Sequence, residues 1–156
     1  MNAREILKKN TGHLVYPPKY FPIDFKLFEN LDGRKQFNRI IRENVQDKFG
    51  VYIWCNSQNN EIYYIGMAGK IKTDGTLSNH SLRKRLLASR GRDKETKKDI
   101  QTNDFVKKFM KENKIKSLDF YIAYSKEDVP PKYVEAILLY EYFKGNKCLT
   151  KLNNSF

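Results

Sequence analysis

Two tyrosines in neighbouring apolar segments are the residues of this chain best suited to acid–base chemistry. Residues 50–52 read Gly-Val-Tyr, residues 64–66 read Tyr-Ile-Gly, and a basic segment follows at residues 81–87. A free tyrosine has a pKa of about 10, so it is a poor base at neutral pH. Positive charge beside the hydroxyl stabilises the phenolate and lets the side chain accept a proton. The pattern predicts Tyr64 as a base and Tyr52 as the residue that orients water or an anionic group, and the two roles can be exchanged.

A β-hairpin is predicted to bring the two tyrosines together. Two β-branched and aromatic runs flank a polar turn at residues 56–60, which favours a hairpin with a longer loop. Side chains alternate between the two faces of a strand. We expect Tyr52 to pair opposite Tyr64, which places both hydroxyls on one face. The same register places Trp54 opposite Ile62.

The first 48 residues predict short helices around an extended segment. Three prolines within residues 17–22 exclude the interior of a helix and favour an extended path. Asp24 can cap a short helix that stops at Gly33. Apolar residues spaced i, i+3, i+4 over residues 37–41 indicate one face of a further helix.

Behind the hairpin the pattern alternates between helix and strand. The predicted elements are a helix capped by Ser81 or Asn79, a charged loop, a helix capped by Thr102 or Asn103, a strand over Ser117–Tyr124, and a helix from Pro130 to about Lys144 that ends at Gly145. The strand is predicted from the alternation of its side chains and the last helix from the prolines at its start. The resulting order, β-β-α-α-β-α, indicates an α+β fold.

The two tripeptides, Gly50-Val51-Tyr52 and Tyr64-Ile65-Gly66, together with this order of elements, resemble the GIY-YIG nuclease family. The resemblance covers roughly residues 49–154. It implies a small three-stranded antiparallel sheet flanked by helices, in a nuclease domain over residues 49–156 that follows a helical N-terminal extension over residues 1–48. The implied activity is endonucleolytic hydrolysis of DNA phosphodiester bonds with Mg²⁺ or Mn²⁺ as cofactor.

The resemblance also implies a catalytic arginine in the helix after the hairpin. Arg85 fits the family pattern within residues 84–86, and Arg83 is the alternative. A planar guanidinium binds two phosphate oxygens at once and suits transition-state stabilisation. Many members carry a histidine or tyrosine one turn later, where this chain has Ser89. That helper is therefore missing or is supplied from elsewhere, for example by His80.

A carboxylate and a lysine complete the implied chemistry. Glu135 matches the family's metal-binding glutamate early in the last helix, and Glu141 is the alternative. One carboxylate, waters and the phosphate itself suffice for Mg²⁺. Some members use a lysine after the second glycine to activate the tyrosine, and here Lys70 and Lys72 are both available.

The family often closes with an asparagine after an apolar residue near the end of the domain. Asn153 fits this pattern after Leu152, and Asn154 is the alternative.

A formal net charge of +12 and a pI near 9.6 favour a nucleic acid as partner. Six basic residues are predicted to contact it: Arg39, Arg42, Arg83, Lys84, Arg90 and Arg92. A membrane span requires a run of about 18 apolar residues, and the sequence contains none. The start of the chain lacks the apolar stretch of a signal peptide, and the two cysteines lack metal-ligand spacing. We therefore expect a cytoplasmic protein without a membrane partner.

A compact chain without a separate DNA-binding domain indicates a stand-alone enzyme of the restriction or phage type. Cutting both strands with one active site per chain implies a homodimer or sequential nicking. Two alternatives stay open: a non-catalytic nucleic-acid-binding module of the same fold, and a structure-specific or RNA-directed nuclease, since charge does not separate RNA from DNA.

Overall fold

A computed structural model describes residues 1–78 and 80–155 and shows an α+β fold, as predicted. The α-helices, with a short 3-10 helix at Phe25–Glu29, are α1 (Ala3–Lys9), α2 (Gly33–Asn44), α3 (Leu82–Leu87), α4 (Thr102–Glu112) and α5 (Pro131–Asn146). The strands are β1 (Lys19–Asp24), β2 (Gly50–Asn56), β3 (Ile62–Ala68), β4 (Ser89–Arg92), β5 (Asp99–Gln101) and β6 (Ser117–Tyr124).

The main sheet has four antiparallel strands in the order β1-β6-β2-β3, where the sequence predicts three. The additional strand, β1, comes from the proline-rich segment and pairs with β6 along its whole length. Pro22 lies within β1 opposite Asp119. A proline cannot donate to a strand ladder, and an edge strand is the place that tolerates it. The first 48 residues thus contribute a strand to the same sheet as the hairpin.

Helices cover both faces of this sheet, which explains why β2 is buried along its entire length. One face carries Tyr52, Trp54 and Phe120 and packs against α2, α3 and α4. The opposite face carries Val51 and Ile53 and packs against α1 and α5. The rings of Tyr52 and Tyr64 therefore lie on the face of the sheet that packs against α3, and α5 packs on the opposite face.

The register of the hairpin differs from the predicted one. Tyr52 pairs with Gly66, and Trp54 pairs with Tyr64. A bulge follows, because the pairing shifts between Trp54 and Cys55. The slip amounts to two residues, so Tyr52 and Tyr64 still share one face and become diagonal neighbours.

Several boundaries also differ from prediction. The charged segment after α3 is not only a loop, because β4 and β5 form a small hairpin within it. Gly33 begins α2 instead of ending the helix before it, and Gln101 is the residue before α4. The last helix continues past Gly145 and stops at Lys147, which has a left-handed backbone conformation.

Other predicted caps are confirmed. Asp24 accepts a hydrogen bond from the Lys26 amide at the start of the 3-10 helix, and Ser81 accepts one from the Lys84 amide at the start of α3. The alternative cap, Asn79, lies outside the described residues. Across the part of the chain described, none of the helices combines the length and the apolar character needed to cross a membrane.

Candidate active site

A cleft of about 490 Å³ lies beside the edge strand β3 and the first turn of α5. Of the predicted catalytic residues, Tyr64, Lys70, Arg85 and Glu135 line it. His80 and Lys132 line it as well. A larger cavity of about 560 Å³ between Phe49 and Pro131 contains none of these catalytic candidates. The smaller cleft is therefore the candidate active site.

The two tyrosines lie against each other at its inner wall, with ring centroids 5.6 Å apart. Tyr64 is half-buried, whereas Tyr52 is fully buried. Among the described residues, the Tyr52 hydroxyl has no hydrogen bond of regular geometry. Burial and the neighbouring Tyr64 raise the pKa of Tyr52 to about 12, although Arg90 and Arg85 oppose the shift. Tyr52 is consequently neutral at physiological pH.

The glycines that flank the tyrosines are required by close packing. A Cβ at position 66 would lie 2.6 Å from Tyr64 Cε1 and 2.7 Å from Tyr52 Cζ. A Cβ at position 50 would lie 2.2 Å from the carbonyl oxygen of Ala123 on the neighbouring strand. Gly66 thus makes room for both rings, and Gly50 allows β6 to approach β2.

The substitution Gly66→Ala is expected to displace both tyrosine rings. Because neither a ring nor the strand backbone can move away freely, overpacking here should cost about 1–3 kcal/mol of unfolding free energy. Urea denaturation measures that loss, and the near-UV circular dichroism of the aromatic cluster should change with it. Gly12→Ala is the matched control, since a Cβ there meets nothing within 4 Å. Equal stability of both variants would contradict the packing argument.

Arg85 reaches the tyrosines from α3. Burial lowers the pKa of the Arg85 guanidinium, but charge and hydrogen-bonding interactions with Tyr52 and Tyr64 more than offset this, so the pKa is raised. Arg83 instead turns away from the cleft. Its Nε donates to the carbonyl oxygen of Val45 at 2.6 Å, at the end of α2. Of the two arginines that the sequence leaves open, Arg85 is the one in the cleft.

Glu135 lies near the start of α5, one turn after its first residue, and its side chain is 11% exposed. The Lys132 ammonium donates to its Oε2 at 2.8 Å. The alternative, Glu141, accepts a hydrogen bond from Asn10 on the far side of the helix and does not line the cleft. Among the described residues, no group of three or more histidine, cysteine or acidic side chains could hold a metal ion. Among the described residues that line the cleft, Glu135 is the one carboxylate that could bind a metal ion.

The loop after β3 contributes further polar groups. Lys70 lines the cleft, whereas Lys72 does not. His80 also lines it, and partial burial, then Arg85 and Lys84, lower the pKa of its imidazole. Ser89 lies in β4, beyond the end of α3, where its hydroxyl donates to the carbonyl oxygen of Gly91. Lys70 and His80 therefore remain the candidate helpers.

Both polar atoms of the Asn153 side-chain amide form hydrogen bonds with the backbone of β3. Its Nδ2 donates to the Ile65 carbonyl at 2.8 Å, and its Oδ1 accepts from the Ile65 amide at 2.9 Å. Next to it, the Leu152 amide donates to the carbonyl of Tyr63. The tail thus covers the open edge of the strand that carries Tyr64. Asn153 does not line the cleft, and this geometry favours a positioning role.

Asn153→Ala is expected to lower the unfolding free energy by about 1–2 kcal/mol, because two hydrogen bonds to a strand edge are lost. Hydrogen exchange at the Ile65 amide should accelerate at the same time. The neighbouring Asn154 is exposed, so Asn154→Ala should stay within about 0.5 kcal/mol of the parent chain. If the two variants were equally stable, the tail would not anchor β3.

Arg90 occupies a position that the sequence did not indicate. Its guanidinium carbon lies 4.9 Å from the centroid of Trp54, 4.8 Å from Tyr64 and 4.7 Å from Phe105. Such stacking fixes the plane of the group and leaves its N–H edges to bind an anion. Arg90 is thus a second cation beside the tyrosines, delivered by β4. The sequence does not indicate that Arg90 lies near the tyrosines, because the β4–β5 hairpin that places it there is not predicted.

The other basic residues predicted to contact nucleic acid differ in whether their side chains already have a partner within the protein. Arg39 pairs with Glu43 at 3.8 Å, and Arg92 pairs with Asp99 at 3.4 Å, both at exposed positions. Lys84 and Arg42 are also exposed. Arg83 is engaged with α2, as described. Exposed pairs of this kind are weak and can exchange partners.

Comparison of the chain with known protein families, with curated proteins and with solved structures finds no match.

Proposed function

We propose that this protein is a divalent-metal-dependent endonuclease that hydrolyses DNA phosphodiester bonds. The observation that carries the proposal is the convergence of Tyr64, Arg85, Glu135 and Lys70 on one cleft. These side chains come from a strand, the loop that follows it and two helices, and they span residues 64–135 of the sequence. Their types supply what phosphodiester hydrolysis needs: a proton acceptor, a cation for the phosphate oxygens and a carboxylate for a metal.

Arg85 is proposed to bind the non-bridging oxygens of the scissile phosphate. Hydrolysis adds negative charge to these oxygens, and a prepositioned guanidinium favours that charge in the transition state more than in the ground state. Arg85 already lies against both tyrosines, so a phosphate bound to it would lie next to the Tyr64 hydroxyl.

Tyr64 is the proposed acceptor of the proton from the attacking water. It lines the cleft, whereas Tyr52 is fully buried behind it. Tyr64 must first release its own proton to solvent, and the resulting phenolate then accepts the proton of the water and returns to the neutral form. Since burial keeps Tyr52 protonated, its hydroxyl can donate a hydrogen bond to the Tyr64 oxygen during this step. The Arg90 guanidinium carbon lies 4.8 Å from the centroid of the same Tyr64 ring. This assignment separates two roles that the sequence leaves exchangeable.

The residues present fit a single Mg²⁺ or Mn²⁺ held by Glu135. Mg²⁺ is commonly bound by one or two carboxylates together with water and substrate phosphate, so one acidic residue is a sufficient protein contribution. When bound, such an ion would neutralise charge on the leaving oxygen. The chain's own residues would then orient the phosphate through Arg85 and hold the Glu135 carboxylate near the start of α5.

The basic residues around the cleft would contact the nucleic-acid backbone. Lys84, Arg90 and Arg92 belong to α3 and β4, and Arg39 and Arg42 lie on α2, which packs against α3. Contacts to phosphate carry affinity and are independent of sequence. A homodimer is proposed for cleavage of both strands, because one chain supplies one cleft of this composition.

The test is incubation of the purified protein with supercoiled plasmid, with and without Mg²⁺ and with EDTA. We expect nicked and linear products only with the metal, and weaker binding as salt is raised. Tyr64→Phe should bind the plasmid but cleave it slowly, and Tyr140→Phe, at an exposed position, should behave like the parent chain. Binding without cleavage by every variant would favour a non-catalytic module. Cleavage of RNA in preference to DNA would reassign the substrate.

A further inference from the structure

The proposed metal ligand, Glu135, forms an ion pair that the sequence did not predict. Lys132 precedes Glu135 by three residues near the start of α5, so the two side chains extend from the same face of the helix. Lys132 Nζ is 2.8 Å from Glu135 Oε2. The carboxylate is 11% exposed, whereas the lysine is 68% exposed. The carboxylate is thus enclosed by the fold, whereas most of the lysine side chain faces solvent.

The cleft around this ion pair carries more positive than negative charge. Lys70, Arg85 and Lys132 line the cleft, and among the described residues that line it Glu135 is the one acidic side chain. A divalent ion needs carboxylate oxygen lone pairs, and an ammonium that donates to Oε2 occupies the same lone pairs. A metal approaching Glu135 must therefore displace the Lys132 head group and also meet two further cations.

Resting on the proposed function, we infer that Lys132 occupies the metal position in the resting cleft and competes with a divalent cation for Glu135. Its ammonium is exposed and its stem is flexible, so it can leave the carboxylate without rearrangement of α5. A phosphate in the cleft gives the released ammonium a new anionic partner. Metal and nucleic acid would therefore assist each other's binding, and the empty cleft would hold metal weakly.

The inference predicts a gain in metal affinity when the lysine is neutralised. Lys132→Gln preserves the length of the side chain but removes the positive charge. We expect the variant to bind Mn²⁺ about tenfold more tightly than the parent chain, the size of effect that a close charge pair produces. Electron paramagnetic resonance of free Mn²⁺ measures this affinity in the absence of nucleic acid and does not depend on cleavage.

Lys70→Gln is the matched control. It removes one positive charge from the same cleft, but Lys70 makes no ion pair with Glu135. Its effect on Mn²⁺ affinity therefore measures long-range repulsion alone, and we expect about a twofold gain. Lys132→Arg should bind Mn²⁺ as weakly as the parent chain. Far-UV circular dichroism of each variant verifies that α5 is intact.

Three results would overturn the inference. Lys132→Gln could match Lys70→Gln in Mn²⁺ affinity, which would leave only repulsion. It could bind Mn²⁺ more weakly, which would make Lys132 a support for the carboxylate. Glu135→Gln could retain the affinity of the parent chain, which would remove Glu135 as ligand. A parent chain that binds Mn²⁺ but never cleaves DNA would instead refute the proposed function and leave the competition intact.

Discussion

Replacing Arg85 by alanine is expected to lower the rate of DNA cleavage by about 10³-fold, the loss typical of removing a prepositioned donor to a transition-state oxyanion. The loss should appear in kcat more than in binding, because many other basic residues hold the nucleic-acid backbone. Single-turnover cleavage of a labelled duplex at saturating protein measures it. Arg85→Lys should recover only part of the rate, since an ammonium keeps the charge but lacks the bidentate fork.

Arg83→Ala is the appropriate control for this experiment. Arg83 belongs to the same short helix and carries the same charge, but its guanidinium donates to the carbonyl oxygens of Val45 and Arg42. Its loss should reduce the unfolding free energy by about 1 kcal/mol and leave the chemical step near that of the parent chain. If Arg83→Ala abolished cleavage while Arg85→Ala did not, the assignment of the two arginines would be reversed.

The second large effect is expected at Glu135. Glu135→Gln keeps the shape of the side chain but replaces an anionic oxygen by a neutral one, so metal-dependent cleavage should fall by about 10²-fold or more. The affinity for Mn²⁺ should fall in parallel, because the substitution removes the only carboxylate among the described residues that line the cleft. Titration of Mn²⁺ against cleavage rate gives both quantities.

Glu141→Gln provides the comparison on the same helix. Glu141 accepts a hydrogen bond from Asn10 and lies away from the cleft, so its substitution should affect stability and leave the metal dependence unchanged. A metal requirement that survived in Glu135→Gln but disappeared in Glu141→Gln would place the ion elsewhere. Loss of activity in both variants without loss of metal binding would indicate disruption of α5.

The elements that the sequence predicts well are those with a strong local pattern. The strand over Ser117–Tyr124 is confirmed at both ends, because aromatic and β-branched residues fill it and charged turns bound it. The start of α5 is confirmed because Pro131 lies at a position that suits a helix start. β1 is not predicted as a strand, because prolines normally argue against one. What secures it is pairing with β6, a contact between residues about 100 positions apart, which no local pattern encodes.

The residues of the candidate site are likewise predicted only in part. The tyrosines, Arg85 and Glu135 are predicted from the resemblance, and the structure brings Tyr64, Arg85 and Glu135 to one cleft. The hairpin register is wrong by two residues, and the bulge after Trp54, which absorbs one extra residue, accounts for one of them. Lys132 could have been identified from its spacing to Glu135. Arg90 could not, since stacking on three rings from separate elements exists only in the folded chain.

Trp54 is the single tryptophan of the chain, and its place in the aromatic cluster has an optical consequence. Its ring lies 5.2 Å from Tyr64 and beneath the Arg90 guanidinium, shielded from solvent. Indole emission is sensitive to nearby charge, and here all of it originates from a buried ring that lies directly behind Tyr64, which lines the candidate site. The protein therefore carries a built-in fluorophore. A change in its emission when an oligonucleotide binds would report on Arg90 and Tyr64 directly, without a label and before any bond is cut.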